Sequence, residues 1–339
     1  MWKNHPKALP YLFLSEMWER FGYYLMIGIF TLYLKDVEAG FSMTEKEASD
    51  LYGTFIALVF LTPFIGGLIA DRYLGYKKSI IIGGLMMGVG YLIMGVHSIP
   101  MLYTAMTLVI VGNGFFKPNI STLLGNFYND EQYKDRKDEG YNIFYMGINV
   151  GAFFAPFAAT GVRDWWLKTN GFLQDGSLPS LCHQMLAGKL TDTTQFASLA
   201  NKVSLTGPVT DLNAFATAYL DVFSRGYNYA FGIAAIAMVI SLLVYIFFNK
   251  HLPNKQEVVV EKTEKTSAEN KSSLITIIVA LLVGGLVTFL VSLLKDYKTG
   301  MAIGLLGTFV TWIIMSSTKE EKARVTSLIL VFFVVIFFW

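Results

Sequence analysis

Long apolar blocks separated by short charged segments make up most of the chain. Six blocks long enough to cross a bilayer as helices occupy residues 9–34, 51–70, 79–96, 101–127, 141–161 and 227–248. Two more, at 274–294 and 300–315, are separated by Lys295-Asp296-Tyr297-Lys298. Because about 20 apolar residues in a helix span a membrane, the pattern predicts six transmembrane helices followed by a helical hairpin.

The polar segments between these blocks suggest how the chain is organised. We expect transmembrane helices 1–5 in residues 1–161, an extracytoplasmic insert at 162–225, helix 6 at 226–249, a cytoplasmic linker at 250–273 and the extra hairpin at 274–316. The insert mixes both charges, and a short helix is predicted at 213–223. The linker alternates Glu and Lys, which is typical of a solvated tether.

The last apolar block, at 323–339, is short for a membrane span. Its apolar part from Val325 would rise about 22 Å as a helix, against a hydrocarbon core of about 30 Å. We expect it to be the start of a helix that continues beyond this sequence. The alternative is a short span anchored by Trp339.

Composition and charge support a membrane protein with the N-terminus in the cytoplasm. Hydrophobic residues make up 54% of the chain and charged residues 15%, too few charges to cover a soluble domain of this size. The net charge of +2 gives no general attraction to nucleic acid. The single cysteine, Cys182, excludes an internal disulfide framework. The Lys- and Arg-rich short loops fall on the side of the N-terminus if the spans alternate.

The first predicted span carries three charged residues near its middle: Glu16, Glu19 and Arg20. An ionised side chain at the bilayer centre costs about 2.5–3.5 kcal/mol on insertion scales, so these groups need partners. Their i, i+3, i+4 spacing places them on one helix face, where carboxylate and guanidinium can pair. We expect that face to point into the bundle or a water-filled cavity.

Two further spans place polar residues at a similar depth. At about 1.5 Å per residue, Glu16 to Arg20 lie roughly 14–20 Å from the cytoplasmic end, Lys117 about 15 Å and Asn149 about 14 Å. Tyr23 and Tyr24 follow one turn higher. Such a layer could hold a zwitterion and a proton. The structural alternatives are an ion pair at Lys117 and an interhelical hydrogen bond at Asn149.

The loop between the second and third spans reads Gly67-Leu68-Ile69-Ala70-Asp71-Arg72-Tyr73-Leu74-Gly75. A carboxylate beside a cation at a helix end can bridge to a neighbouring helix in one conformation and release it in another. We therefore interpret Asp71 and Arg72 as a conformational latch, with a plain charged turn as the alternative. The four histidines show no metal-ligand spacing and no Ser or Cys nucleophile has a visible base, so we expect neither an enzyme nor a metal or other cofactor.

Four of these segments, in this order, resemble signatures of the proton-dependent oligopeptide transporter family of the major facilitator superfamily. They read Glu16-x-x-Glu19-Arg20-Phe21-x-Tyr23-Tyr24, Gly67…Ala70-Asp71-Arg72…Gly75, Phe116-Lys117-Pro118-Asn119-x-Ser121-Thr122 and Phe144-Tyr145-x-x-Ile148-Asn149-x-Gly151. The resemblance covers the chain from about Leu9 to Trp339, except residues 162–225. The hairpin is similar to an insertion found in bacterial members.

The resemblance implies an all-α integral membrane protein of the cell (inner) membrane, here its N-terminal six-helix bundle, the hairpin and the start of a second bundle that would be its partner. It implies import of di- and tripeptides with protons by alternating access. Glu16, Glu19 and Arg20 would couple protonation to the inner gate. Arg20 and Lys117 would meet the peptide carboxylate. Its amino end and the cavity wall would involve Asn149, Tyr23 and Tyr24.

One position departs from the family pattern. Many members follow the double tyrosine with Gly-Met-Arg, whereas this chain has Leu25-Met26-Ile27. The family arginine pairs with an acid in the second bundle, so proton coupling here would depend more on Glu16 and Glu19. Two alternatives stay open: a carrier of another small anion or zwitterion, and a peptide binder or sensor that does not transport.

Overall fold

The computed structural model describes the chain apart from residues 1, 38–39, 191, 250–266, 295–296, 318–321, 324, 328 and 331–339. It comprises two compact units, residues 1–258 and 259–339. The helices of the first unit are α1 (Leu9–Lys35), α2 (Glu45–Ile69), α3 (Tyr76–Met94), α4 (Ile99–Phe127), α5 (Lys137–Thr169), α6 (Leu178–Leu186), α7 (Thr194–Val203) and α8 (Leu212–Asn249). The second unit contains α9 (Ser267–Leu294) and α10 (Tyr297–Ser316).

Local sequence signals define where these helices begin. Pro10 lies in the first turn of α1, where its missing N–H costs no hydrogen bond. A capping box starts α2: the Glu47 amide donates to Thr44 Oγ1 over 3.3 Å, and the Thr44 amide donates to Glu47 Oε2 over 2.9 Å. Between α2 and α3, the π-helical turn Ala70–Leu74 ends at Gly75, whose φ of 73° favours glycine.

Helix α1 packs between α5 and α8, while α3 packs on α4 and α8, and α2 on α4. Glycines allow the backbones to approach closely. A Cβ at Gly151 of α5 would collide with the Met17 carbonyl of α1, and a Cβ at Gly22 of α1 would lie 2.8 Å from the Ala234 carbonyl of α8. These contacts hold the charged face of α1 inside the bundle.

Within the part of the chain that the structure describes, six helices are long and apolar enough to cross a membrane: α2, α3, α4, α5 with its preceding turn, α8 and α9. Helix α1 is not among the six, because its middle carries the three charges. Helix α10 contains a shorter apolar stretch, Ile303–Ser316. The predicted all-α membrane architecture is confirmed, including the hairpin. Most of the predicted last helix, 323–339, lies outside the described residues, as does most of the linker.

The insert is continuous with the spans on either side of it. Helix α5 runs on to Thr169, and α8 already begins at Leu212, so the segment predicted as a separate helix at 213–223 is the start of α8. Together with α6 and α7 they enclose a second hydrophobic cluster, the insert core. Its buried members are Leu167, Leu178, Cys182, Phe196, Ala200, Val203, Phe215, Ala216, Tyr219 and Leu220.

The hairpin of the second unit packs through small residues. A Cβ at Gly284 would collide with Thr308, and one at Gly304 would collide with Thr288. The two threonine hydroxyls instead donate to carbonyls one turn back in their own helices, each over 2.9 Å. Small residues at this spacing are typical of membrane helices that pack closely.

Candidate functional site in the bundle core

The charged side chains of α1 are fully enclosed by protein. Glu16, Glu19 and Arg20 are exposed by 1%, 0% and 3%. Arg20 donates to both carboxylate oxygens of Glu19: Nε to Oε2, and Nη2 to Oε1 over 2.6 Å. Arg20 Nε lies 3.6 Å from Glu16 Oε1, too far for a hydrogen bond. The i, i+4 spacing favours a pair between Glu16 and Arg20. In the structure, Arg20 instead makes its hydrogen bonds to Glu19, the residue next to it.

A residue of α4 explains this preference. Asn113 is fully buried, and its Oδ1 accepts a hydrogen bond of 2.9 Å from Arg20 Nη2. Its Nδ2 donates to the Val59 carbonyl of α2 over 3.0 Å. In a regular helix that carbonyl would accept from residue 63, but Pro63 has no N–H to give. Glu16, Glu19, Arg20 and Asn113 form what we term the charge cluster, which joins three helices.

Two polar atoms beside the arginine are buried without a hydrogen-bond partner among the described residues: Glu16 Oε2 and the Tyr91 hydroxyl of α3. Tyr91 lies within electrostatic range of Glu19 and Arg20. A buried carboxylate with an unpartnered oxygen is costly, whereas a protonated carboxyl is much less so. The cluster therefore has one carboxyl group held by Arg20 through two hydrogen bonds and a second with one oxygen that has no partner among the described residues.

Lys117 lies one turn beyond Asn113 on the same face of α4 and is half-buried. Its ammonium group lies 5.5 Å from the ring centroid of Phe60 on α2. Within the described part of the chain it forms no ion pair shorter than 4.0 Å, although its charge interacts with those of Glu16 and Glu19. Lys117 is thus a cation close to the cluster that remains available to an anion.

The aromatic residues after Arg20 separate into a buried and an exposed one. Tyr23 is buried, with the Arg20 guanidinium 4.9 Å from its ring centroid. Tyr24 packs edge-on against Tyr23 and is 37% exposed. Asn149 lies on the exposed face of α5, and no hydrogen bond links it to the charge cluster. The structure therefore brings the α1 residues together but leaves Asn149 apart from them.

The candidate latch lies in the π-helical turn after α2. Asp71 is exposed there and interacts with Tyr76 at the start of α3. The side chain of Arg72 is not among those described. Ile27, which replaces the family arginine, is half-buried against the hydrophobic core.

Sequence reasoning missed Asn113, Tyr91 and the role of Pro63. Asn113 is recognisable in retrospect as an amide between two glycines, one turn before Lys117. No group of three or more His, Cys, Asp or Glu side chains among the described residues is arranged to hold a metal ion.

The fold is similar to those of known peptide transporters. A peptide transporter POT in complex with sulfate aligns with a TM-score of 0.57 at 25% identity, covering 97% of this chain and 57% of that one. A POT variant in complex with alafosfalin aligns with a TM-score of 0.56 at 26% identity. The fold is therefore that of a helical membrane protein of the major facilitator type.

Sequence comparison identifies the family. The POT family model matches residues 77–339, more than half of the chain, so the chain belongs to the POT family. It is 37% identical over 158 residues to the di-/tripeptide transporter of Lactococcus lactis subsp. lactis, covering 45% of this chain and 31% of that protein. It is 38% identical over 187 residues to dipeptide and tripeptide permease A of Edwardsiella piscicida, covering 54% and 37%. The chain spans about a third of these relatives, and the predicted family is confirmed.

Proposed function

We propose that the complete protein containing this chain imports di- and tripeptides together with protons, by alternating access, and performs no chemistry on them. The observation that carries the proposal is the charge cluster, in which two buried carboxyl groups share one arginine. Membership of the POT family supports peptides as substrates, as do relatives named di- and tripeptide transporters. The driving force is a proton gradient, with no bound cofactor.

The two carboxyl groups have different roles in this proposal. We assign the bound proton of the paired state to Glu16, one of whose oxygens has no hydrogen-bond partner among the described residues. Glu19 is ionised and holds Arg20 through two hydrogen bonds. A proton reaching Glu19 weakens that pair and frees Arg20 to bind an anionic group. Releasing the proton on the cytoplasmic side restores the pair.

The substrate carboxylate then binds to Arg20 and Lys117, the two cations of the site. Tyr23, Tyr24 and Asn149 contribute to the cavity wall, with Asn149 near the peptide amino end. We propose that a second bundle outside this chain supplies the opposite wall. Asp71 and Arg72 act as the cytoplasmic latch, with the N-terminus in the cytoplasm and the protein in the cell (inner) membrane.

The gradient supplies enough free energy for accumulation. One charge moving through a potential of about 100 mV releases about 2.3 kcal/mol. At about 1.4 kcal/mol per tenfold change in concentration, this supports roughly fiftyfold accumulation of a dipeptide.

The test is dipeptide uptake by the complete protein in proteoliposomes, with and without an inward proton gradient. We expect accumulation only with the gradient. Glu19→Gln should abolish uphill uptake and spare counterflow, because a permanently neutral residue 19 cannot cycle a proton. Glu131→Gln, which changes an exposed loop carboxylate, serves as the matched control. Uphill uptake retained by Glu19→Gln would contradict the coupling role.

Competition separates the proposed substrate class from other small zwitterions. Dipeptides should inhibit uptake far better than free amino acids, because the proposed site holds the substrate carboxylate at Arg20 and Lys117 and the amino end of a peptide near Asn149. Equal inhibition by both would favour a carrier of another small anion or zwitterion. Binding of dipeptides with no flux in either condition would favour a binder or sensor.

A further inference from the structure

We infer that Asn113 is a positioning residue that holds Arg20 in its carboxylate-paired position, and that Pro63 fixes the orientation of Asn113 by freeing the Val59 carbonyl. The inference rests on the proposed function for its meaning in transport. Its geometry is independent of that function.

The hydrogen-bond partners leave only one orientation for the Asn113 amide. Arg20 can only donate hydrogen bonds, so the atom facing its Nη2 has to be the amide oxygen. The Val59 carbonyl can only accept, so the amide NH₂ has to face it. Reversing the amide would oppose donor to donor and acceptor to acceptor in a buried site, which is strongly unfavourable.

Because Pro63 has no N–H, the Val59 carbonyl is free to accept a hydrogen bond from Asn113. A residue with an N–H at position 63 would donate to that carbonyl within α2. With proline there, the carbonyl is satisfied by the side chain of a neighbouring helix instead. Thr62 of α2 adds a second link, donating through Oγ1 to the Ile110 carbonyl of α4 over 2.8 Å. The position of Asn113 relative to α2 is therefore fixed at two adjacent points.

In the proposed mechanism Arg20 is either paired with Glu19 or bound to a substrate carboxylate. The hydrogen bond to Asn113 favours the position paired with Glu19. Arg20 Nη2 donates both to Glu19 Oε1 and to Asn113 Oδ1. A hydrogen bond from a charged donor is stronger than a neutral one, so leaving this position costs Arg20 three such bonds, two to Glu19 and one to Asn113. Asn113 adds no charge, so it does not depend on pH itself. It stabilises the paired position until protonation of Glu19 and a substrate carboxylate outweigh it.

A simpler role for Asn113 would be to donate a hydrogen bond to the Val59 carbonyl. Substituting Pro63 separates this role from that of holding Arg20. Asn113→Leu removes both hydrogen bonds and keeps the branching at Cγ and the number of side-chain heavy atoms. Adding Pro63→Ala gives the Val59 carbonyl a donor within α2 but restores nothing to Arg20. Pro63→Ala alone controls for any change in the shape of α2.

The experiment measures dipeptide uptake by the complete protein from pH 5 to pH 8, in wild type and these three variants. We expect Asn113→Leu to move the midpoint of the pH profile upward by about one pH unit and to lower KM for the dipeptide up to about tenfold, because Arg20 leaves Glu19 more easily. The double variant should keep both changes, and Pro63→Ala alone should keep the wild-type midpoint. A double variant that returns to the wild-type profile, or an Asn113→Leu variant that loses uptake equally at every pH, would overturn the inference.

A second measurement does not depend on transport. Loss of the Arg20 hydrogen bond should lower the Tm of purified protein. Because Pro63→Ala gives the Val59 carbonyl a donor, the double variant should still melt below Pro63→Ala alone. If wild type shows no gradient-driven uptake, the proposed function fails while this readout still tests Asn113. Equal Tm values for the double variant and Pro63→Ala would then overturn the inference. Asn113→Ala, which also removes both hydrogen bonds and adds no bulk, replaces Asn113→Leu in both measurements if the latter does not fold.

Discussion

The membrane bundle buries a cluster of charged side chains, whereas the insert core buries apolar side chains and one thiol. In the bundle, Arg20 depends on Glu19 beside it and on Asn113 from another helix. In the insert core, Phe196 of α7 and Tyr219 of α8 are both almost fully buried. The charge cluster is held by directional hydrogen bonds, and the insert core is held by packing.

Because hydrogen bonds hold one region and packing holds the other, the two regions should respond differently to substitutions. A buried ion pair returns little net stability while it is intact, but removing one partner leaves an uncompensated charge. An apolar core loses stability roughly in proportion to the volume removed. We therefore expect substitutions in the bundle core to act on both stability and transport, and those in the insert to act on local stability alone.

The largest effect is expected for Arg20→Leu. Both carboxyl groups of the charge cluster would lose their cation, and breaking a buried pair costs about 3–5 kcal/mol. Tm of the purified protein should fall and uptake should be lost. The double variant Arg20→Leu/Glu19→Gln should regain much of the stability but no uptake. Glutamine at position 19 is neutral, so the loss of Arg20 no longer leaves an unpaired buried charge there. A single variant as stable as wild type would contradict the view that the pair is structurally required.

A comparable loss, confined to the insert, is expected for Phe196→Ala. Phe196 is 1% exposed, and a buried Phe→Ala change costs about 3–5 kcal/mol. Burial raises the pKa of the Cys182 thiol to about 12, so the native thiol should resist alkylation at neutral pH. The variant should open the insert core and allow Cys182 to react, with uptake unchanged.

The matched control for this variant is Leu205→Ala, which changes a residue of the same region that is 54% exposed. It should leave alkylation of Cys182 as slow as in wild type. Loss of uptake in Phe196→Ala would show that the two regions are energetically coupled and would break the comparison.

A smaller effect is expected where α1 and α5 meet. Gly151→Ala places a methyl group against the Met17 carbonyl and 2.9 Å from the Phe21 amide, so the helices would have to separate. Overpacking of this kind costs about 1–3 kcal/mol. Gly161→Ala, later in the same helix, meets nothing within 4 Å and should stabilise α5 by about 0.5–1 kcal/mol. Thermal unfolding of the two variants should therefore shift in opposite directions; equal shifts would show that the close approach is not required.

Much of the bundle was predictable because its signals are local. Apolar block length predicts the spans, and the cost of buried charge marks Glu16, Glu19 and Arg20 as special. The pairing was not predictable, because helical spacing favours Glu16 while the position of Arg20 is set by Asn113 from a distant part of the sequence. That link in turn depends on Pro63 in a third helix. Only the tertiary packing brings these residues together.

The insert was less predictable for a different physical reason. Its helices α6 and α7 are short, and only isolated local signals mark where they begin, such as Asp175 before α6 and Asp192 before α7. The boundary at 225 was expected where the strongly apolar sequence begins, but α8 already starts at Leu212 because its first turns bury Phe215 and Tyr219 in the insert core. Burial against α6 and α7, which the sequence pattern does not show, extends this helix.

The smallest effect is expected from Asp175→Asn at the start of α6. Hydrogen bonds from the Ser177 hydroxyl, 2.6 Å, and amide, 2.9 Å, lower the pKa of Asp175 below its usual value. The pKa of Asp175 is lower in the folded state than in the unfolded state. The carboxylate therefore contributes its full stabilisation above the unfolded pKa of about 3.9, and this stabilisation is lost as the pH falls through the folded pKa. The contribution is screened by solvent and should stay below about 1 kcal/mol. Hydrogen exchange of α6 amides should therefore depend less on pH between 5 and 3 in Asp175→Asn, whereas Ser177→Ala should move the acid transition to higher pH. An unchanged dependence in both variants would mean that the insert is held by its apolar core alone, which would sharpen its contrast with the bundle.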